Sequence, residues 1–247
     1  MAELVNVSAD AATRVGVVTM CGAPNNYLNR SVLDAVLDGL RTLDDDPRCD
    51  AIVLVAEGKH FCAGRDFTAP RGPGDDSASV YRTAASLFDI ATPWLAAVRG
   101  GAIGAGFGLA LAADFRVCAA DAYFWPNFVT LGLHHGFGTT VTLPRLVGPQ
   151  RAARMLMSGA KIGVGTEAAT GLTDAVVPTD ELVSAAVAFA EEFARNPAPA
   201  VRAVRATMRA GLRDQFAAAA EHESTEQSRL TNAKKTTTES GNQEKRA

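Results

Sequence analysis

A glycine-dense stretch in the middle of the chain has the residue types and spacing of an oxyanion-binding turn. It reads VRGGAIGAGFGLALAAD over residues 98–114 and follows an apolar run, 94–98, that is typical of a buried strand. Glycine lets a backbone adopt dihedral angles closed to other residues and pass close to a ligand. A helix that begins in such a turn points its first unpaired N–H groups and the positive end of its dipole at whatever lies there. These N–H groups could stabilise a developing oxyanion, although the same glycines would also suit a turn that serves packing alone.

The overall composition of the 247-residue chain disfavours several classes of protein. With 47% hydrophobic and 21% charged residues, it is typical of a globular protein with a sizeable core. A net charge of −3 disfavours nucleic acid as the main partner, no apolar run approaches the roughly 20 residues of a membrane span, and the N-terminus does not resemble a secretory signal. The four cysteines have no paired spacing, which favours buried thiols over disulfides or a zinc site. We therefore expect a cytoplasmic protein that binds neither nucleic acid nor a membrane.

Apolar runs and one amphipathic pattern predict the first elements of the fold. Residues 14–20 are β-branched and predict a strand, and Ser31 is expected to open a helix with Asp34 as its partner in a capping box. Residues 51–56 are continuously apolar, as in a strand covered on both faces. A further helix is expected over 77–90.

Two loops are expected to bring backbone N–H groups to one edge of the sheet. The loop 58–66 follows the strand at 51–56, and the turn at 104–106 follows the strand at 94–98. Ligands bind at such carboxyl ends in open α/β sheets. The sequence therefore predicts a binding site where these two loops meet.

Beyond residue 114 the patterns change from strand to helix. Residues 115–119 and 123–124 predict two short strands. The broad apolar face of 180–195 suits packing on the chain's own core or self-association. The last 17 residues are polar and aperiodic, so we expect them to lack regular structure. Helices are expected over 138–146, 150–157, 166–170, 180–195, 198–212 and 214–230.

Two motifs resemble those of the enoyl-CoA hydratase/isomerase superfamily, also called the crotonase superfamily. HFCAGRDF at 60–67 is similar to its first oxyanion-loop motif and 98–119 to its second, while NYLN at 26–29 and LPRLVG at 143–148 extend the likeness over residues 4–230. The resemblance implies an α/β fold with a crotonase-like ββα spiral core over 1–195. It also implies a C-terminal helical trimerisation region over 196–247, ending in a disordered polar tail.

The same resemblance implies a substrate and a way to bind it. The substrate would be an acyl-CoA thioester, with coenzyme A as part of the substrate and no permanently bound cofactor. The N–H groups of Arg65 and Ala105 would bind the thioester oxygen as it becomes an enolate. Ala63 and Asp66 would lie along the path of the adenosine and pantetheine. The protein would assemble as a homotrimer or a dimer of trimers.

Departures from the family pattern narrow the chemistry. Hydratases of the superfamily resemble one another in two glutamates, and at those positions this chain has Gly108 and Phe128. An aspartate used by some relatives would fall at Gly136. Adding water to a double bond needs a base and an acid, so isomerisation, decarboxylation or C–C cleavage is favoured over hydration. The alternative is a non-catalytic acyl-CoA-binding protein that acts by assembly with a partner enzyme.

His134 and His135 are the candidates for the missing proton chemistry. They lie in LGLHHGFGTT just before a predicted helix, and histidine titrates near neutral pH. His134 is favoured because the residue nearer the helix is more easily occupied with capping; either ring could instead hydrogen-bond only to backbone. Adjacent histidines do not easily face one ion and no third ligand is near, so no metal site is predicted.

Tyr27 and Phe128 are further candidates for binding the acyl group. Tyr27 could donate its hydroxyl into the acyl pocket or simply fill space. Phe128, with its aromatic neighbours, could form an apolar acyl pocket or belong to the core. The acidic and histidine side chains at 221–223 are interpreted as a solvated helix face.

Overall fold

Nine strands and eight α-helices make up the part of the chain that the computed structural model describes, which is residues 4–70, 72 and 74–244, with side chains as far as residue 233. The strands are β1 (Val5–Asp10), β2 (Val15–Met20), β3 (Ala51–Ala56), β4 (Trp94–Val98), β5 (Gly101–Ile103), β6 (Phe115–Ala119), β7 (Tyr123–Trp125), β8 (Ile162–Gly163) and β9 (Ala175–Val177). The helices are α1 (Arg30–Asp44), α2 (Ser77–Ala84), α3 (Ala105–Ala112), α4 (Thr139–Val147), α5 (Pro149–Ser158), α6 (Leu182–Ala194), α7 (Ala198–Met208) and α8 (Leu212–Glu244).

Six of the strands form one mixed sheet in the order β1-β2-β3-β4-β6-β9, and β5, β7 and β8 form a second, small sheet. In the large sheet only β1 and β2 pair antiparallel. Every residue of β3 and β4 is buried, which confirms the prediction of strands covered on both faces. Because β3 and β4 are parallel neighbours, the loops that follow them leave from the same edge.

Helices cover both faces of the large sheet. On one face α1 contributes buried leucines such as Leu33 and Leu40 to the larger core. On the other face α6 packs against β3, β4 and β6 through Leu182, Ala186 and Ala190. The broad apolar face of α6 therefore packs on the chain's own sheet.

The first long helix starts one residue earlier than predicted. Asn29 is the N-cap of α1, and its side chain accepts a hydrogen bond from the Val32 amide at 2.9 Å. Asp34 pairs with Arg30 at 2.9 Å instead of closing a capping box with Ser31. The prediction of a capping box was wrong because Asn29, which caps helices as well as serine does, lies at the actual start of the helix.

Several other boundaries differ from the sequence prediction. The helix expected over 77–90 is α2 followed by a 3-10 turn, Ala85–Phe88. β1 was missed, since five of its six residues are exposed and its pattern carries no buried face. The short strands β5, β8 and β9 were missed as well.

The C-terminal helix folds back over the chain's own elements. α8 contacts α2, α4 and the turn at Ala85–Phe88, and its Phe216 is fully buried against Gly138. The helix continues to Glu244, where the polar composition had predicted no regular structure; extending a formed helix costs far less than nucleating one. Residues 245–247 of that expected tail lie outside the described residues.

Two predictions from composition can be compared with the described residues. Cys49, Cys62 and Cys118 are buried thiols outside any disulfide, and the partly exposed Cys21 thiol donates to the Thr19 carbonyl at 3.4 Å. Among the described helices, not one combines the length and apolarity that crossing a bilayer demands.

Candidate active site

The loop that follows β3 is held against β5 by backbone hydrogen bonds. The Phe61 amide donates to the Arg99 carbonyl at 2.8 Å and the Cys62 amide to the Gly101 carbonyl at 3.1 Å. In return, the Ile103 amide donates to the Cys62 carbonyl at 2.9 Å. The two glycine loops are therefore joined into one piece of structure.

Two glycines allow the close approach of these loops. A Cβ atom built on Gly106 would lie 2.2 Å from the Cys62 carbonyl oxygen. Gly64 has a φ of +73°, and a Cβ atom built there would lie 2.6 Å from the Ile103 oxygen and 3.3 Å from the Ala105 nitrogen. Gly64 thus lies directly beside the amide of Ala105, at a distance that no larger residue permits.

The second loop turns sharply into α3. Gly104 has a φ of +54° at the N-cap, and its amide donates to the Trp125 carbonyl at 2.9 Å. The Gly108 amide donates to the Gly104 carbonyl at 3.2 Å, so the ladder of helical hydrogen bonds starts there. The Ala105 amide precedes that ladder at the positive end of the helix dipole.

A cleft of about 100 Å³ lies where the two loops meet. Four predicted site residues line it: Arg65, Ala105, Asp66 and Tyr27. The other lining residues are Leu28, Asn29, Ala69, Pro70, Asp75, Ser77, Val80 and Tyr81.

Three of the predicted binding residues take different places around this cleft. Tyr27 is 40% exposed and lies at the rim. Asp66 accepts hydrogen bonds from the Thr68 amide at 2.8 Å and hydroxyl at 2.6 Å, and these bonds lower the pKa of its carboxyl. Ala63 is not in the lining; its amide donates to the Asn25 carbonyl at 2.9 Å. Asp66 and Ala63 therefore hold the loop in shape.

The two predicted histidines form a stacked pair outside the cleft lining. Their ring centroids are 4.1 Å apart, and the His134 Nδ1 is 2.8 Å from the His135 carbonyl oxygen. The His135 Nε2 is 2.9 Å from the Thr140 hydroxyl at the start of α4. Burial, together with the neighbouring His134 and His222, lowers the pKa of His135 to about 4. His135 is thus occupied at the helix start, as expected for the residue nearer the helix.

Glu223 is a buried carboxylate that the sequence analysis assigned wrongly to a solvated face. It is fully buried on α8 and accepts hydrogen bonds from the amides of Gly138 and Thr140 at 2.7 and 2.9 Å and from the Thr140 hydroxyl at 2.7 Å. Burial raises the pKa of this carboxyl. Glu223 therefore caps α4 from a distant part of the chain, which no local pattern reveals.

A larger cavity of about 970 Å³ lies elsewhere, between α7 and one end of the large sheet. Its lining includes Arg205 and Arg209, which both pair with Asp114. Neither glycine loop reaches this cavity. We therefore place the candidate active site in the smaller cleft. In the described part of the chain, no group of three or more His, Cys, Asp or Glu side chains could hold a metal ion.

Comparison with known proteins decides the family. A profile of the enoyl-CoA hydratase/isomerase family matches residues 10–247. The chain belongs to this family. It is 39% identical over 176 residues to the probable enoyl-CoA hydratase EchA14 of Mycobacterium tuberculosis, which covers 69% of this chain and 68% of the relative.

A relative with a different printed activity and a solved structure are also similar to this chain. The chain is 29% identical over 208 residues to 4-chlorobenzoyl coenzyme A dehalogenase-2 of an Arthrobacter species, covering 81% of this chain and 75% of the relative. The crystal structure of an enoyl-CoA hydratase/isomerase from Pseudoalteromonas atlantica T6c superposes with a TM-score of 0.80 at 27% identity, covering 92% of this chain and 91% of that one. The predicted superfamily and its α/β fold are thereby confirmed.

In this member of the enoyl-CoA hydratase/isomerase family, aromatic side chains cover Gly108 and Gly136. The resemblance implies that relatives carry acidic residues at these two positions. A Cβ atom built on Gly108 would lie 2.6 Å from the Cβ of Phe137, and one built on Gly136 would lie 2.2 Å from the Tyr81 hydroxyl oxygen. Phe128 is 6% exposed and packs in the interior, outside the cleft lining. These positions thus offer no room for a carboxylate without repacking.

Tyr81 is the cleft residue that the sequence analysis missed. It is 5% exposed, and its hydroxyl oxygen accepts a hydrogen bond from the Gln227 Nε2 at 3.0 Å. Burial raises the pKa of the phenol to about 12. A signal was available, because Tyr81 lies beside Val80 on the inward face of α2, where a tyrosine hydroxyl needs a partner.

Proposed function

We propose that this protein binds an acyl-CoA thioester in the cleft and stabilises its enolate with the amides of Arg65 and Ala105. The observation that carries the proposal is the closeness of Gly64 to the Ala105 nitrogen, which would lie 3.3 Å from a Cβ atom built on the glycine, together with the presence of Arg65 and Ala105 in one cleft lining. Two main-chain donors need no side-chain ordering and lie beside the start of a helix. Removing one donor of such a pair typically lowers a rate by about 10²–10³.

The variant Ala105→Pro tests this proposal at one atom. Ala105 is the first residue of α3, where proline is tolerated, so the substitution deletes the N–H group without interrupting the helical hydrogen bonds. Because the ring enters the space beside Gly64, urea denaturation is run alongside to show that the variant folds like wild type. The assay uses 2-enoyl-, 3-enoyl-, malonyl- and 3-oxoacyl-CoA in deuterated water, and mass spectrometry follows the deuterium at the α-carbon. We expect the rate of deuterium incorporation to fall by about 10²–10³ in the variant.

Glu167→Pro is the matched control for Ala105→Pro. Glu167 is exposed and begins a 3-10 turn outside the cleft lining. The residue before it is in the extended conformation that proline requires of its predecessor. Equal exchange by wild type and Ala105→Pro, with the control also unchanged, would refute the amide pair.

For the reaction we favour isomerisation, decarboxylation or C–C cleavage over hydration. The support is that Phe137 packs over Gly108 and that Phe128 is buried, so neither position where the hydratases carry a glutamate offers a carboxylate to activate water. Each favoured reaction passes through an enolate. Crotonyl-CoA hydration at about 10² s⁻¹ or faster would contradict this preference.

A non-catalytic acyl-CoA-binding protein is the second candidate, favoured by the same aromatic packing. It would bind CoA thioesters without converting any of them and act by assembly with a partner enzyme. Turnover of a single thioester by the purified protein would exclude it. A calorimetric titration with butyryl-CoA, run beside the turnover panel, separates the two candidates.

Self-association as a homotrimer or a dimer of trimers remains part of the proposal. Its support is the large apolar cavity beside α7, whose rim carries Val204 and Met208 at 65% and 69% exposure. Light scattering on the purified protein gives the mass directly. The cytoplasmic location stays a prediction from the free thiols.

A further inference from the structure

Tyr81 lines the cleft and carries a protic group, its hydroxyl, that the amide pair does not use. Tyr81 reaches the cleft from α2 and lines it together with Arg65 and Ala105. Its ring packs on Gly136, which has no side chain to compete for the space. The phenol therefore forms part of the wall against which an acyl group would lie.

Gln227 fixes the orientation of this phenol from the other side. The Nε2 group of Gln227, which is 7% exposed on α8, lies 3.0 Å from the Tyr81 oxygen and 2.8 Å from the His134 carbonyl oxygen. A carbonyl accepts only, so the nitrogen must point this way and one of its two hydrogens goes to the Tyr81 oxygen. The Tyr81 hydroxyl itself donates to the Gln227 Oε1 across 3.3 Å, which is long for an O–H donor. The Tyr81 proton is thus held weakly by Gln227 and can turn to an acceptor in the cleft.

Charged and polar groups from several elements surround the Tyr81 oxygen. Burial and the nearby Glu223 on α8 raise the pKa of the phenol, and the Gln227 and Ser77 side chains and the charge of Arg65 lower it. The balance is a pKa of about 12. Tyr81 therefore carries its proton at neutral pH and can give it away.

We propose that Tyr81 is the catalytic proton donor of the cleft, and that Gln227 is its positioning residue. The inference rests on the proposed function, because it needs an enolate bound at Arg65 and Ala105. The enolate's electron pair forms a C–H bond at the α-carbon, the O–H bond of Tyr81 breaks, and the phenolate that remains is held by the Gln227 N–H until water reprotonates it. In reverse, the phenolate removes the α-proton.

Hydrogen exchange at the α-carbon of propionyl-CoA tests this assignment without knowledge of the natural substrate. In deuterated water, wild type is expected to exchange this hydrogen at a rate that rises about tenfold per pH unit from pH 7 to 10, as the phenolate fraction grows. Tyr81→Phe is expected to bind propionyl-CoA within threefold of wild type by calorimetry and to exchange about 10²–10⁴-fold more slowly. Tyr123→Phe, which removes a hydroxyl outside the cleft lining, is expected to exchange like wild type.

A second set of variants keeps the phenol and changes its surroundings. Gln227→Leu is expected to slow exchange about tenfold, with unchanged binding and a pH profile displaced upward, because the phenolate loses its hydrogen-bond donor. The chain has three tyrosines, Tyr27, Tyr81 and Tyr123, so 3-fluorotyrosine is incorporated site-specifically at position 81 and the other two are left unchanged. The fluorine lowers the phenol pKa and is expected to displace the profile to lower pH. A merely structural tyrosine would give neither displacement.

The outcomes separate this inference from the proposed function. A wild-type protein that binds propionyl-CoA without exchange, or a folded Tyr81→Phe that exchanges as fast as wild type, overturns the inference and leaves the amide pair standing. Loss of exchange in Tyr27→Phe in place of Tyr81→Phe also overturns it. If Tyr81→Phe fails to fold, an unmoved profile in the fluorotyrosine protein overturns it. Absence of propionyl-CoA binding by wild type overturns the proposed function itself.

Discussion

The front and the back of the cleft are built by opposite means. The front, residues 61–65 and 101–108, consists of backbone groups brought together by glycines and paired strand to strand. The back consists of side chains from three separate elements, with Tyr81 on α2 held by Gln227 and Glu223 on α8 capping α4. The front has no space for a side chain at its closely packed glycines. On the proposed function it binds the thioester oxygen, whereas the back supplies the side chains that act on the bound group and can be substituted one at a time.

The largest loss of stability and activity is expected from a side chain added at the front, where the packing leaves no space for it. Gly106→Val would force a side chain against the Cys62 carbonyl, 2.2 Å from the new Cβ. We expect the free energy of unfolding to fall by about 3 kcal/mol and α-carbon exchange to be lost. Urea denaturation and the exchange assay measure both.

Gly165→Ala is the control for that substitution. A Cβ atom built on Gly165 meets nothing within 4 Å, so both quantities should match wild type. A stable, active Gly106→Val protein would show that the front tolerates rearrangement, and the contrast between front and back would fail.

At the back, removal of the Glu223 carboxylate is expected to cost stability. Glu223→Ala leaves the amides of Gly138 and Thr140 without their acceptor, and we expect the free energy of unfolding to fall by about 3 kcal/mol. Glu221→Ala, on the exposed face of the same helix, should change it by less than about 0.5 kcal/mol. Similar values for the two variants would mean that the cap contributes little.

Acid is expected to lower the free energy of unfolding through protonation of His135. Its pKa is about 4 in the folded protein, against about 6.5 when unfolded, so the unfolded chain binds more protons between these values. Stability is therefore full above pH 6.5 and falls as the pH drops towards 4, by about 2 kcal/mol at pH 5.

Urea midpoints at pH 7.5, 6 and 5 measure that loss. His135→Asn should give the flatter dependence, since it removes the titrating group. The raised pKa of Glu223 acts in the opposite sense and remains in both proteins. An equally steep loss in the variant would assign the acid sensitivity to another group.

The smallest effect is expected at His134. Its ring lies outside the cleft lining, and the carbonyl that holds Gln227 belongs to its backbone, so His134→Ala preserves that contact. We expect α-carbon exchange within threefold of wild type. A loss of 10² or more would restore the histidine as the general base and displace Tyr81 from that role.

The same contrast explains what the sequence could predict. Gly64, Gly104 and Gly106 lie in two short motifs after two apolar runs, so pattern alone predicted the strands, the turn and the meeting of the two loops. The choice of the Arg65 and Ala105 amides came from the family resemblance and stays a prediction. Asn29 in place of Ser31 as the cap of α1 is an error of one boundary, where two good capping residues lie close together.

The back of the cleft could not be predicted in this way. Glu223 sits in a polar stretch that looks solvated, and only the return of α8 across α4 buries it. Tyr81 lies on the inward face of α2, so its burial could be predicted, but the partner of its hydroxyl is 146 residues away in the sequence. Contacts of that separation leave no periodic trace in the chain.

The docking of α8 has a consequence for the protein during its synthesis. Both glycine loops leave the ribosome more than a hundred residues ahead of Gln227. A chain interrupted after α7 would lack the buried Phe216, the Glu223 cap of α4 and, on the proposed chemistry, the side chain that orients the phenol. Translation through the last helix would thus be the step that completes the back of the cleft.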